Sequence, residues 1–458
     1  MFVAAFAWRA VHAPRLALWH IDEVRFSLPT AQDFAAGQWY PYIRGTNYGA
    51  PIHEAAAALL FRLFGESLVA LRIPVAFFSA VAVVVALLVL RRVLPGPAAI
   101  GIALVLAFPN SALTRYGVGG HPVYAALTIL VLGLVWGAWE VDRHRTRATW
   151  VAWACLAGFS VYALKLAIFP VFVSLLWLGL RSNSFRQWRR ATRLDALRRQ
   201  ALARASFVAA LGVLLLSPVA YRWLTRRATY SAGSHEVALL CVGGALLLLG
   251  AIGLYRASRA PWRRCWPAAV VALAIVAFTA PPAVHFKYVE KPRLAAARIE
   301  LWPEKSYSLK HWHEMPFQLR LLLDRVLPAL VIGRWSELDG VPPQQVPLTW
   351  KTGVSVAVLA TLLVGAWARL TPRAVMRSFR SRKSILVAPV VLVVFIMFPS
   401  WALHSDTNFR YLVPFSCGLY LLAWECMRSW LAPRPRFTAI VLGFYLTYSG
   451  IDCWRHLS

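Results

Sequence analysis

The sequence predicts an all-α fold: a polytopic transmembrane helical bundle of about 12–13 spans, with amphipathic juxtamembrane helices in its first outer loop. Three observations carry this prediction. Of the 458 residues, 59 % are hydrophobic and only 15 % charged, unlike a soluble domain, a disordered chain or a disulfide scaffold. The apolar residues gather into runs close to the ~20 residues that cross a hydrocarbon core. The basic residues fall into alternate connectors, as the positive-inside rule demands.

The spans follow in order. A piece at Met1–Trp19 begins the chain, interrupted by Arg9, His12, Pro14 and Arg15. It lacks a charged leader followed by a cleavage site, so it reads as retained: either a short irregular helix or the remainder of a segment that starts upstream. Apolar segments then lie at 75–92, 97–114, 121–139, 150–163, 166–180, 207–223, 237–255, 267–284, 351–368, 385–403, 411–427 and 437–453. With the loop at 20–74 outside, the inner connectors are 91–97, 141–149, 181–206, 256–266, 369–384 and 428–436, and they hold 26 of the 49 Lys and Arg. Of the 19 acidic residues, only Glu140, Asp142, Asp195 and Glu425 fall at or beyond the inner face. The net charge of +30 therefore records topology, and no nucleic acid is expected as a partner. The chain divides into an N-terminal transmembrane core at 1–284, an outer loop region at 285–350 and C-terminal transmembrane helices at 351–458.

Two outer loops, 20–74 and 285–350, are too long to be turns, and long loops tend to carry function. The first holds amphipathic stretches at Val24–Ala36 and Ile52–Phe64 that suit the membrane interface. The segments at 150–163 and 166–180 are short for two crossings and meet at Lys165. An ammonium facing lipid at depth costs roughly 2.5–3.5 kcal/mol, so the pair suggests an outward polar cavity, with a snorkelling lysine as the plainer alternative. Six cysteines show no metal or redox spacing and read as core packing. Trp136, Trp139, Trp150, Trp350 and Trp401, at segment ends, read as interfacial belts.

The densest polar group is W-H-I-D-E-V-R-F at 19–26, at the start of the first outer loop. Adjacent Asp22 and Glu23 beside Arg25 supply a candidate general base and a cation for an anionic group. The same residues could simply cap and solvate a loop helix. The chain continues F-A-A-G-Q-W-Y-P-Y-I-R-G-T-N-Y-G-A-P at 34–51 and L-L-F-R-L-F-G-E-S-L-V-A-L-R-I-P at 59–74. Further on come G-F-S-V-Y-A-L-K-L-A-I-F-P at 158–170 and N-F-R-Y-L-V-P at 408–414.

In their joint order these motifs resemble the GT-C membrane glycosyltransferases, in particular the protein O-mannosyltransferases and the bacterial enzyme that transfers aminoarabinose to lipid A. The resemblance implies an inverting glycosyltransferase that moves a sugar from a polyprenyl-phosphate donor to an acceptor hydroxyl on a glycan, lipid or protein. It implies further that Asp22 is the candidate base with Glu23 as its neighbour, and that Arg25, Lys165 and Arg410 lie near the lipid phosphate. Positioned cations would stabilise the charge that develops on a departing phosphate. Tyr48, His53 and Tyr411, in or beside the motifs, complete the candidate substrate-binding set. The expected location is a bacterial inner membrane with the site facing the periplasm, in contact with membrane lipid.

The chain departs from the family in two places. Where many members carry an acidic residue after the third span, it has R-Y-G-V-G-G-H-P at 115–122. His121 there could accept a proton or hydrogen-bond the sugar, or be a polar helix start before Pro122. Aminoarabinose transferases carry Glu-Lys before the proline that is here Pro51, whereas this chain has Gly49 and Ala50, and His53 and Glu54 do not restore the register. No cofactor is implied with certainty. H-W-H-E at 311–314 could offer ligands to a divalent metal ion or lie as a surface loop. The alternative function is a transporter or flippase of lipid-linked saccharides, which should place ionisable residues at the bilayer midplane with repeat symmetry. Here they crowd the outer mouth, and no repeat is visible.

Overall fold

Long apolar runs rich in Ala, Leu and Val fold as helices because each helix satisfies its own backbone, which hydrocarbon cannot do. A computed structural model describes residues 1–16, 23–44, 49–119, 123–181, 266–285, 288–289, 292–293, 381–400, 412–431 and 433–457. Among the described residues there is no strand. The chain divides into two compact units. The larger comprises Met1–Trp177, Val271–Leu301 and Leu309–Ser458; the smaller, Leu178–Val270 and Trp302–Ser308, is described only at 178–181 and 266–270. The expected segments at 207–223, 237–255 and 351–368 lie outside the described residues.

The helices are α1 (Phe2–His12), α2 (Leu28–Ala35), α3 (Ile52–Phe64), α4 (Leu68–Arg91), α5 (Gly96–Ala107), α6 (Ser111–Val118), α7 (Tyr124–His144), α8 (Arg147–Ala163), α9 (Ile168–Arg181), α10 (Trp266–His285), α11 (Ser384–Ser400), α12 (Ser416–Leu431) and α13 (Pro435–Leu457). Of these, α4 and α7 are each long and apolar enough to cross a membrane. Small residues let them pack closely. A Cβ on Gly137 of α7 would meet the Trp153 ring of α8 at 2.7 Å, and one on Gly158 of α8 would lie 2.5 Å from the Ala274 carbonyl of α10. Ala5, Ala80 and Ala107 join α1, α4 and α5 in one core cluster, while Ala31, Ala57, Phe61, Ala70 and Leu71 join α2, α3 and α4 in another.

Two readings of the sequence are corrected. The apolar run at 97–114 is not one helix: it breaks at Phe108–Asn110, where Pro109 has no N–H to donate and Asn110 caps α6 by accepting from Leu113 N at 3.1 Å. Side chains satisfy the groups that the break frees. Arg9 donates to the Leu106 and Ala107 carbonyls at 2.8 and 3.0 Å, Ser449 Oγ to Phe108 O at 3.0 Å, and Thr114 Oγ1 to Pro109 O at 3.0 Å. The Ser111 amide in turn donates to Asp452 at 2.8 Å. Cation and anion thus sit where the half-helix dipoles favour them. The second correction concerns Trp139, which is buried in the bundle and not part of an interfacial belt.

At the other end of α4, Arg92 lies 3.5 Å over the Trp136 ring and pairs with Glu140 at 2.5 Å. Asp142 pairs with Arg145 and Glu425 with Lys383. The acidic residues assigned to the basic face are therefore held by its arginines and lysine; Asp195 lies outside the described residues. The described cysteine thiols are free, with Cys417 and Cys453 buried as core residues and Cys155 exposed.

Candidate active site

The acidic motif enters the described structure at Glu23, which opens a one-turn π-helix, Glu23–Ser27. Its carboxylate is gripped by Arg72 of α4, Nε to Oε1 at 2.7 Å and Nη2 to Oε2 at 2.8 Å, with both side chains almost wholly buried. The remaining nitrogen of Arg72 donates to Ala13 O at 2.8 Å and Leu16 O at 2.5 Å, at the exit of α1. One guanidinium thus ties the end of α1, the acidic motif and the start of α4. The bidentate geometry is the strongest form that such a pair takes, and in a dry interior either charge is costly without the other.

After the π-turn, Thr30 of α2 donates to Phe26 O at 2.6 Å and accepts from Arg44 N at 2.9 Å. The returning segment runs beside α2. Arg44 pairs with Asp33 at 3.1 Å, and Tyr40 donates to Asp33 at 2.9 Å. Burial, and then the Asp33 charge, hold the Tyr40 phenol well above its usual range. Trp39 stays exposed and stacks on buried Phe34, ring centroids 4.4 Å apart.

The loop closes where Ile43 N donates to Gly49 O at 3.1 Å. Gly49 has φ +85°, and an added Cβ would lie 3.0 Å from Ile43 Cδ1 and 3.7 Å from Val123 Cγ2, so a side chain there is both strained and crowded. Val123 itself, at the start of α7, takes a left-handed φ of 67°, a rare position for a β-branched residue.

The loop is then stitched to the end of α8. Ala50 N donates to Ala163 O at 3.0 Å, the Tyr162 hydroxyl donates to Pro41 O, and the Tyr42 and Tyr162 rings lie 5.8 Å apart. Leu164, extended at φ −156°, ends α8 and delivers Lys165, half-buried, into a 3₁₀ turn before α9. The first loop and the Lys165 turn, over 100 residues apart in sequence, are neighbours.

In α3, Glu54 is fully buried and accepts from Ser27 Oγ at 2.7 Å, while its Oε2 has no hydrogen-bond partner among the described residues. Burial raises its carboxyl to about 7, against the weaker opposing pull of the Ser27 bond.

The expected site residues stand as follows. Glu23 is buried with both oxygens engaged by Arg72. Arg25 is half-buried, its guanidinium 5.8 Å over the Phe26 ring. His53 is buried and its Nε2 accepts from Ala126 N at 3.3 Å, which joins α3 to α7. Asp22, Tyr48, His121, Arg410 and Tyr411 lie outside the described residues, as does the H-W-H-E run at 311–314. Among the described residues no group of His, Cys, Asp and Glu gathers to hold a metal ion. Sequence reasoning missed Arg72, Glu54 and Tyr162. For Arg72 a signal existed: an arginine in the first turns of an apolar helix requires a counter-charge, and the acidic motif was nearby to supply it.

No family model matches the sequence, and no curated protein matches it either. Several solved structures have a similar shape. The Archaeoglobus fulgidus oligosaccharyltransferase in complex with Zn and sulfate is similar over 99 % of this chain and 53 % of its own, at 14 % identity and a TM-score of 0.47. The same organism's AglB, with an inhibitory peptide and a dolichol-phosphate, covers 99 % and 56 % at 13 % identity and 0.45. ArnT from Cupriavidus metallidurans, bound to undecaprenyl phosphate, covers 94 % and 80 % at 17 % identity and 0.34. The chain spans about half the length of the archaeal oligosaccharyltransferase. These are likenesses of shape alone, at identities where residue roles do not transfer.

Proposed function

We propose that the chain is a polytopic membrane glycosyltransferase of GT-C architecture, with about 12–13 spans, moving a sugar from a polyprenyl-phosphate donor to an acceptor hydroxyl at the outer face of a bacterial inner membrane. The observation that carries the reading is the stitching of the first loop to the Lys165 turn through Ala50–Ala163 and Pro41–Tyr162. Two of the motifs thought to serve one reaction are thereby neighbours, although the sequence separates them widely. The Arg72–Glu23 clasp anchors the residue that follows Asp22 in the sequence.

In this reading the acceptor oxygen attacks the anomeric carbon while the bond from that carbon to the phosphate oxygen breaks, which inverts the centre. Asp22 takes the acceptor proton. The electron pair leaves with the polyprenyl phosphate, whose charge Arg25, Lys165 and Arg410 receive. Hydrogen bonds to charged groups contribute roughly 1.5–3 kcal/mol each, so such contacts lower the barrier substantially. Tyr48, Tyr411 and His121 would bind sugar or acceptor.

A second reading, a transporter or flippase of lipid-linked saccharides, draws on the break between α5 and α6. Discontinuous helices with charged groups at their half-helix ends are a transporter device. One experiment separates the two. Purified protein is incubated with a panel of polyprenyl-phosphate sugars and scored for release of polyprenyl phosphate, beside Asp22→Asn and Lys165→Ala. Release that both substitutions abolish supports the transferase. No release with any donor, together with donor translocation in proteoliposomes, refutes it.

A further inference from the structure

Arg9 lies inside the helical bundle at 4 % exposure, and among the described residues no carboxylate pairs with it. A guanidinium carries five N–H groups. Both on Nη1 are used, donating to Ala5 O and Ala107 O at 3.0 Å each, and one on Nη2 donates to Leu106 O at 2.8 Å. What remains is the Nε–H, buried with no hydrogen-bond partner, and the second N–H of Nη2. These are the two nitrogens with which Arg72 holds both oxygens of Glu23. The same protein therefore displays this edge of the guanidinium filled by a carboxylate at Arg72 and unfilled at Arg9.

Arg9 lines a cavity of about 50 Å³ between α1, α4, α5, α6, α7 and α12, whose walls are mostly apolar, with Ser79, Tyr116, Thr128 and Ser416 as the polar side chains besides Arg9. A Cβ on Gly117 would stand 3.3 Å from Arg9 Nε and 3.3 Å from Ser79 Oγ. The glycine thus keeps clear the space between a guanidinium edge and a hydroxyl. At ~10–15 Å³ per water-sized probe, the cavity takes about four such atoms, which suits a compact oxyanion and excludes a sugar. Charge points the same way. The C-terminal carbonyls of α5 offer Arg9 only part of a negative charge, roughly −0.5, and a full cation in an apolar bundle calls for more.

We propose that this cavity binds a compact oxyanion of the carboxylate or phosphate class, gripped by the Nε and Nη2 of Arg9 and by the Ser79 hydroxyl. A free anion and the phosphate of a lipid headgroup share that chemistry. The test uses the full chain. Its melting temperature is followed in detergent as sodium formate or sodium phosphate replaces gluconate, an anion too large for the cavity, at constant ionic strength. It is followed in parallel in a phosphate-free detergent as short-chain phosphatidylglycerol is added, with the matching short-chain diacylglycerol, which lacks the phosphate, as the control. Gly117→Ala leaves the three carbonyl bonds of Arg9 intact while filling the cradle, and Ser79→Ala removes the hydroxyl without crowding. A saturable rise with formate or phosphate, whose apparent affinity falls tenfold or more in Gly117→Ala and more mildly in Ser79→Ala, supports a free oxyanion. A rise only with phosphatidylglycerol, weakened in the same order, assigns the oxyanion to a headgroup. No saturable rise in any arm, or one that both variants retain, overturns the proposal.

Discussion

Arg72→Met removes the guanidinium that joins α1, the acidic motif and α4 while keeping the reach of the side chain. It strands the Glu23 carboxylate, which has 3 % of its side-chain surface exposed, and takes the donor from the Ala13 and Leu16 carbonyls. Removing one partner of a buried ion pair costs about 3–5 kcal/mol, and a dry carbonyl without its donor about 1–3 kcal/mol more. The terms overlap, so a loss of about 4 kcal/mol or more is expected. Glu23→Gln is milder, about 2 kcal/mol, because Arg72 keeps both carbonyls and an amide oxygen. In the double variant the stranded charge is gone, so it should lose less than the sum of the single losses by about 1.5 kcal/mol or more. Unfolding in mild detergent measures all three. The release assay on the same samples should show Arg72→Met impaired even where it remains folded, because Asp22 adjoins the loosened anchor. An Arg72→Met protein within about 1 kcal/mol of wild type, or single losses that simply add, would refute the claim that the guanidinium holds this carboxylate dry.

Glu54, raised from 4.5 to about 7 by burial, binds its proton more tightly folded than unfolded. Its stabilising contribution is therefore present below about pH 4.5 and lost as pH rises through 7, a change of about 3 kcal/mol that Glu54→Gln should remove from the unfolding curve between pH 5 and 8. Gly49→Ala must adopt φ +85° against Ile43, so a loss of about 1–2 kcal/mol and reduced polyprenyl phosphate release are expected, read by melting and by the release assay. Gly158→Ala drives a Cβ toward the Ala274 carbonyl at 2.5 Å and should cost about 1–3 kcal/mol in detergent unfolding by separating α8 from α10.

How much was legible depended on whether the signal was local. The helix at Ile52–Phe64 appears with the bounds read from the sequence, because Pro51 and Gly65 punctuate an amphipathic run and act on their own neighbours. The end of α8 at Lys165 was legible for a similar reason, since two short apolar runs meeting at a lysine mark a break. The interruption at Phe108–Asn110 was not, because hydropathy stays high across it and Pro109 alone does not say whether a helix bends or stops. In the candidate site, the sequence marked Glu23, Arg25, His53 and Lys165 as polar candidates, but it could not give the partners that packing brings to Glu23 and His53.

The amino-acid order on its own settled that this chain is helical and apolar enough for membrane-crossing segments, and it bounded the first loop, because hydropathy and turn chemistry act over a few neighbours. Only the tertiary structure decided which partners the buried polar groups find. Glu23 is bound by an arginine 49 positions away, His53 by an amide in α7, and Arg9 by a helix end nearly 100 residues on. In a dry interior a charge is stabilised by whatever group the fold brings within hydrogen-bond reach, and that partner is set by packing and not by adjacency in the chain.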